Sequence, residues 1–183
     1  RRERRRCAEA GIRFETLHGT QLDDEVLARV YELHERNFHR HGHEPYLNPA
    51  CFEELRRTLG DALMVKLARL GGRIVGAAVF LRSSTALYGR YWGASDYFHS
   101  LHFETCYHQG VEYCIEHGLA RFEPGTQGEH KVARGFAPQF TWSAHFITNA
   151  GFRHALAGHL RREGAAVDLY AAEIDGHTPF RRP

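Results

Sequence analysis

The chain has 183 residues, 43% of them apolar and 25% charged, with a formal net charge of +2. That is enough chain for one domain with a real core, in the composition range of an ordinary globular protein. The small net charge gives no general argument for nucleic-acid binding, and no apolar run approaches the about 18 residues of a membrane-spanning helix.

In chain order, Arg1–Arg6 carries five arginines and reads as a solvated tail or a piece of a helix. Ile12–Leu17 alternates as a short strand. Asp23 or Asp24 can cap a helix to about His41, with Val26, Leu27, Val30, Leu33 and Phe38 at helical spacing. Pro49 suits the first turn of a second helix through Leu59. The period then changes. Ala62–Leu70 and Arg73–Leu81 flank Gly71-Gly72 and predict a β-hairpin, and Thr85–Trp92 adds a third antiparallel strand. Ser100 is a candidate cap for a helix from Leu101 to His117 that shows Phe103, Tyr107, Gly110, Val111, Cys114 and Gly118 on one face. Leu119–Glu123 is the next strand. A strand, a helix and a strand in this order predict parallel pairing of the two strands. Phe140–Thr148 alternates as a strand or runs as irregular chain, and Asn149 caps a last helix over Phe152–Ile174, interrupted by Gly158 and Gly164.

The densest chemistry lies in Phe122–Phe136, FEPGTQGEHKVARGF, where glycines and a proline bend the backbone after a strand. Its polar residues compete between a solvated loop and a site. Glu123 and His130 are the candidate proton acceptors, the latter because imidazole titrates near neutrality. Gln127, Lys131 and Arg134 are candidates for binding a phosphate or carboxylate. Arg90, Tyr91 and Trp92 end the third meander strand, and His102 starts the following helix. All four are candidates for the same cleft, outside the carboxyl ends of neighbouring strands.

The four cysteines, Cys7, Cys51, Cys106 and Cys114, form no CxxC pair and read as free thiols in a reducing compartment, so the cytoplasm is the expected location. Histidine numbers 14, but His34, His39, His41 and His43 have loose spacing for zinc, and no metal site is expected. The chain does not start with methionine and is expected to be part of a longer protein.

The order of elements is that of the GNAT (acyl-CoA N-acyltransferase) fold. LYGRYWG at Leu87–Gly93, HFETCYHQGVEYCIEHGL at His102–Leu119, FEPGTQGEHKVARGF at Phe122–Phe136, TWSAHFI at Thr141–Ile147 and the terminal HTPFRR at His177–Arg182 resemble the FemAB-like family labelled for peptidoglycan biosynthesis or recognition. The resemblance implies an α/β (α+β) fold with a GNAT-like mixed, mainly antiparallel sheet flanked by helices. It implies a single domain over residues 1–183, with residues 1–20 as linker and first strand and residues 171–183 as tail. Family members are longer, so the chain is expected to be the C-terminal half, with its N-terminal half as a partner. The implied activity is acyl or aminoacyl transfer that makes an amide on a small-molecule or peptide amine, related to the cell wall. No cofactor is fixed; aminoacyl-tRNA and acyl-CoA are the candidate donors. The acetyl-CoA loop of GNAT enzymes, Q/R-x-x-G-x-G/A, is absent, and Asp96–Ser100 (DYFHS) occupies its place. The competing reading is a non-catalytic module that binds a peptidoglycan, peptide or tRNA fragment.

Overall fold

A computed structural model describes residues 2–125, 129–176 and 179. The chain forms two compact units, Arg1–Gly125 and Thr126–Pro183.

The first unit is built on a five-stranded sheet. Its elements are α1 (Arg2–Glu9), β1 (Arg13–His18), α2 (Asp24–Arg40), α3 (Pro49–Leu59), β2 (Leu63–Leu70), β3 (Arg73–Arg82) and β4 (Ala86–Ala94). A helical segment follows, made of α4 (Leu101–Phe103), a π-helical stretch (Glu104–His108) and α5 (Gln109–Glu116). β5 (Arg121–Glu123) closes the unit. The spatial strand order is the sequence order, β1 to β5; the first three pairings are antiparallel and β4–β5 is parallel. The mixed, mainly antiparallel sheet flanked by helices is the architecture expected from the sequence.

Local chemistry explains the boundaries. The Asp23 carboxylate accepts from the Val26 N–H, and Asn48 accepts from Cys51, with Pro49 in the first turn. Gly71 and Gly72 have φ of 55° and 83°, the two positive values that a tight hairpin between β2 and β3 requires.

The sheet separates two apolar layers. On one face Leu27, Val30, Leu33 and Phe52 of α2 and α3 pack on Val65, Leu67, Ala77 and Val79. The other layers join Cys7 and Leu101 to Ala68, Val75 and Ala94, and Tyr113 and Cys114 to Met64, Ala78, Phe80 and Leu87. The approach on the α2 side is close: a Cβ on Gly93 would stand 2.0 Å from the Leu33 carbonyl oxygen.

Of the two forms allowed for the arginine-rich start, the structure has the helix, in which Arg4 and Cys7 have partners to dock on. Expectations for the later helices are corrected. Ser100 does not cap with its side chain. Its φ is 70°, and its Oγ lies 2.7 Å from His99 Nδ1. Of the helix face drawn at regular spacing, Tyr107, Gly110 and Cys114 are buried, while Val111 and Gly118 are exposed. The π turn changes the phase of the helix within that face.

The second unit contains a 3₁₀ segment (Glu129–Arg134) and α6 (Ala150–Asp175). Asn149 caps α6 by accepting from Phe152, and the helix runs unbroken through Gly158 and Gly164. Phe140–Thr148 is irregular chain, the second of the two forms its alternation allowed.

Candidate functional site

β4 and β5 pair over only three residues: Ala86 with Arg121, Leu87 with Phe122 and Tyr88 with Glu123. Gly89 is where they part. Its missing side chain admits the backbone of Pro124, which an added Cβ would meet at 3.4 Å. One residue later β4 carries a bulge: Tyr91 pairs with Val79 and Gly89 with Phe80, so Arg90 is the extra residue. A bulge increases the local twist and turns a side chain away from the regular alternation.

A cavity of about 140 Å³ lies at this divergence. Ala78, Val79 and Phe80 of β3 and Gly89–Trp92 of β4 line one side; His102, Cys106 and Tyr107 line the other, with Pro124 at the end of β5. Arg90, Tyr91, Trp92 and His102, four of the residues singled out from sequence, thus share one cavity. Trp92 and His102 have ring centroids 5.5 Å apart, and His102 lies 5.5 Å from Tyr107, edge to face. That second contact spans five residues, the interval that a π turn stacks along one face. The Arg90 guanidinium is 5.9 Å from the Tyr91 ring. Behind Tyr91, at 4.6 Å, stands the ring of His34, which is 2% exposed and surrounded by Tyr31, Phe38 and Phe52. Neither His34 nitrogen has a hydrogen-bond partner, and burial lowers its pKa.

Glu123 precedes the cavity-lining Pro124. Its carboxylate is half exposed and pairs with Arg121 at 3.0 Å. His130, Lys131 and Arg134 belong to the second unit, on its 3₁₀ segment. His130 is exposed; burial first, then the charges of Arg134 and Lys131, lower its pKa and favour neutral imidazole. Arg134 donates to the His130 carbonyl at 2.7 Å. Gln127 lies outside the described residues.

Sequence reasoning missed Cys106 and Tyr107 as cavity lining, having counted them only as apolar helix residues. It placed Glu104 on this helix but gave it no role. That carboxylate is fully buried on the π turn; its Oε1 accepts from Arg4 Nε at 3.1 Å and Gln109 Nε2 at 2.7 Å, while Oε2 has no partner. Arg4 also holds Glu112, and Glu3 lies 2.7 Å from His108 Nε2. The start of the chain is thereby fastened to the helical wall of the cavity. Lys66, nearly buried, donates to Thr16 Oγ1; burial lowers its pKa against the opposing pull of Glu116, Glu112 and Glu104. A glutamate within an apolar helix face was the available signal for this cluster. Among the described residues no three of His, Cys, Asp and Glu are placed to hold a metal ion, and no helix is long and apolar enough to cross a membrane.

Comparison with known structures gives fold relatives. The chain is similar to the C-terminal domain (DUF2156) of a protein designated a lysylphosphatidylglycerol synthetase from Agrobacterium fabrum, with a TM-score of 0.53 and 12% identity. That likeness covers 66% of this chain but only 38% of the other. It is also similar to a ribosomal-protein-alanine N-acetyltransferase from Brucella melitensis, with a TM-score of 0.52, 15% identity, and coverage of 76% of this chain and 98% of that one. A protein designated an acetyltransferase from Clostridium acetobutylicum, solved with acetyl-CoA, gives 0.53 at 12% identity over 74% of this chain and 96% of its own. At such identities the likeness establishes the N-acetyltransferase fold. No curated protein sequence matches the chain. The family profile for FemAB-like proteins, described as peptidoglycan biosynthesis/recognition, matches residues 1–182. The chain therefore belongs to the FemAB-like family, as the motifs from Leu87 to Ile147 had led us to expect.

Proposed function

We propose that this chain is the C-terminal half of an acyl- or aminoacyl-transferase that forms an amide on an amine of a peptidoglycan precursor. One observation carries the reading: in a FemAB-like chain, β4 and β5 part at Gly89 and Pro124 to open a cavity lined by Arg90, Tyr91, Trp92 and His102. The cavity is smaller than the roughly 300–1,000 Å³ of sites that enclose a whole small molecule. It suits the acyl end of a donor, with the carrier left outside.

Amide formation needs an unprotonated amine, a stabilised oxyanion and aligned reactants. Arg90 supplies positive charge beside the carbonyl. Glu123 accepts the amine proton, directly or through water. Aminoacyl-tRNA is the favoured donor and acetyl-CoA the weaker one. Asp96–Ser100 stands where GNAT enzymes carry the pyrophosphate loop, and it offers the carboxylate of Asp96 instead of a glycine-rich run. The site of action follows as the cytoplasm, where charged tRNA is found.

The test offers the purified chain a pentapeptide precursor with a free amine, plus either aminoacyl-tRNA or acetyl-CoA, and follows the amide product by mass spectrometry. Transfer from aminoacyl-tRNA is expected. Glu123→Gln should lower the rate about tenfold or more, a loss of at least about 1.4 kcal/mol of transition-state stabilisation, with the circular dichroism unchanged. Calorimetric binding of the precursor with no transfer from either donor would establish the recognition role in place of this one.

A further inference from the structure

We propose that Cys106 is a nucleophile that carries the acyl group covalently within the cleft, with His102 as its base. This rests on the acyltransferase reading and adds an intermediate to it. Cys106 does not stand alone: it lines one cavity together with His102, Arg90 and Tyr107. His102 precedes it by four residues on the same helical wall, and both line the cavity opposite β4. Contacts of His102 with Trp92 and Tyr107, both at 5.5 Å between ring centroids, hold the imidazole at the cavity.

The other cysteines differ. Cys7 and Cys114 are buried in the apolar layers, and burial pushes both thiols up, Cys7 to about 11. Such thiols are structural and inert. Cys51 is half buried on α3, and no residue of α3 lines the cavity. Cys106 is the half-buried cysteine that opens on the cavity.

The chemistry balances without an oxidant or metal. His102 takes the thiol proton, and the Cys106 sulfur attacks the acyl carbon of an ester or thioester donor. The new carbon–sulfur bond forms as the bond to the carrier breaks. The carrier leaves as a hydroxyl or thiol with the proton from His102. The acceptor amine then attacks the Cys106 thioester; a carbon–nitrogen bond forms, the carbon–sulfur bond breaks, and the amine proton passes to Glu123 and from it, through water, to the departing sulfur. Splitting the transfer this way replaces one difficult step by two easier ones. The about 140 Å³ available accommodates an acetyl or small aminoacyl group on sulfur.

The test uses p-nitrophenyl acetate, a small activated ester, on the whole chain without acceptor. A burst of nitrophenolate equal to one acetyl group per chain is expected, with the label mapped to Cys106. Cys106→Ala should abolish the burst, and His102→Gln should slow it at least about tenfold at neutral pH and flatten its rise with pH. Acetylation confined to Cys51 or to lysines overturns the proposal. So does a Cys106→Ala variant that transfers acyl groups to amine at the parent rate, a result that leaves the transferase reading intact. Labelling of Cys106 with no transfer to any amine by the parent protein sinks the transferase reading instead.

Discussion

Residues 2–125 and residues 129–176 contain the same kinds of side chain and put them to different use. In the first unit the apolar runs Leu63–Leu70 and Arg73–Arg82 find partners on both edges, and Met64, Val65, Leu67, Ala68, Ala77 and Phe80 are at most 2% exposed. In the second, Phe140–Thr148 alternates, yet Trp142 is 93% and Phe146 84% exposed. Among the described residues of that unit none is buried. A strand-like side-chain pattern is thus not sufficient for a strand. A strand exists where a neighbour accepts its backbone hydrogen bonds, and the side-chain pattern only selects which face is covered.

The comparison can be broken by substitution. The largest effect should come from Phe80→Ala, which removes a ring buried to 1% exposure between β3 and the helical wall. A loss of about 4 kcal/mol in urea unfolding is expected. Gly93→Ala comes next: its Cβ would collide with the Leu33 backbone, which α2 cannot move cheaply, and about 3 kcal/mol should be lost. A smaller effect, dependent on pH, belongs to His34. Its folded pKa is lowered by burial, so the unfolded chain binds the proton more tightly. Stability should therefore fall as the pH drops below about 6.5 and level off below the folded pKa. His34→Phe should remove that dependence, seen as thermal melts whose midpoint no longer follows pH across this window. The smallest effect is predicted for Trp142→Ala. Despite the size of the side chain, unfolding stability should change by no more than about 0.5 kcal/mol. A loss of several kcal/mol there would mean that the second unit buries this ring, and the contrast between the units would be void.

What was legible in the sequence followed from short-range causes. Gly71-Gly72 announces its hairpin because only positive φ closes so short a turn; Asp23 and Asn149 mark helix starts through bonds made within three residues, and Pro49 through its fixed φ. Arg90, Trp92 and His102 could be assigned to one cleft because a strand, a crossover helix and a parallel strand leave little freedom. The π turn was not legible. Its phase change is tied to Arg4 on Glu104, a pair 100 residues apart, and without it Tyr107 and Cys106 cannot be given their direction. Gln127 lies outside the described residues, and the role of Glu123 is tested by Glu123→Gln.

The sheet order also bears on the order of assembly. Strands adjacent in space are adjacent in sequence, and β2–β3–β4 closes through turns of two and three residues. Such loops close fast, whereas joining β5 to β4 must wait for the whole segment from Ser95 to Ala120 to be gathered. The cleft, which exists only because β5 arrives and then turns away, is on this basis completed after the β2–β3–β4 meander. Pulsed hydrogen exchange during refolding should find the amides of β3 protected before those of Arg121–Glu123, and simultaneous protection would show that the crossover is formed with the meander.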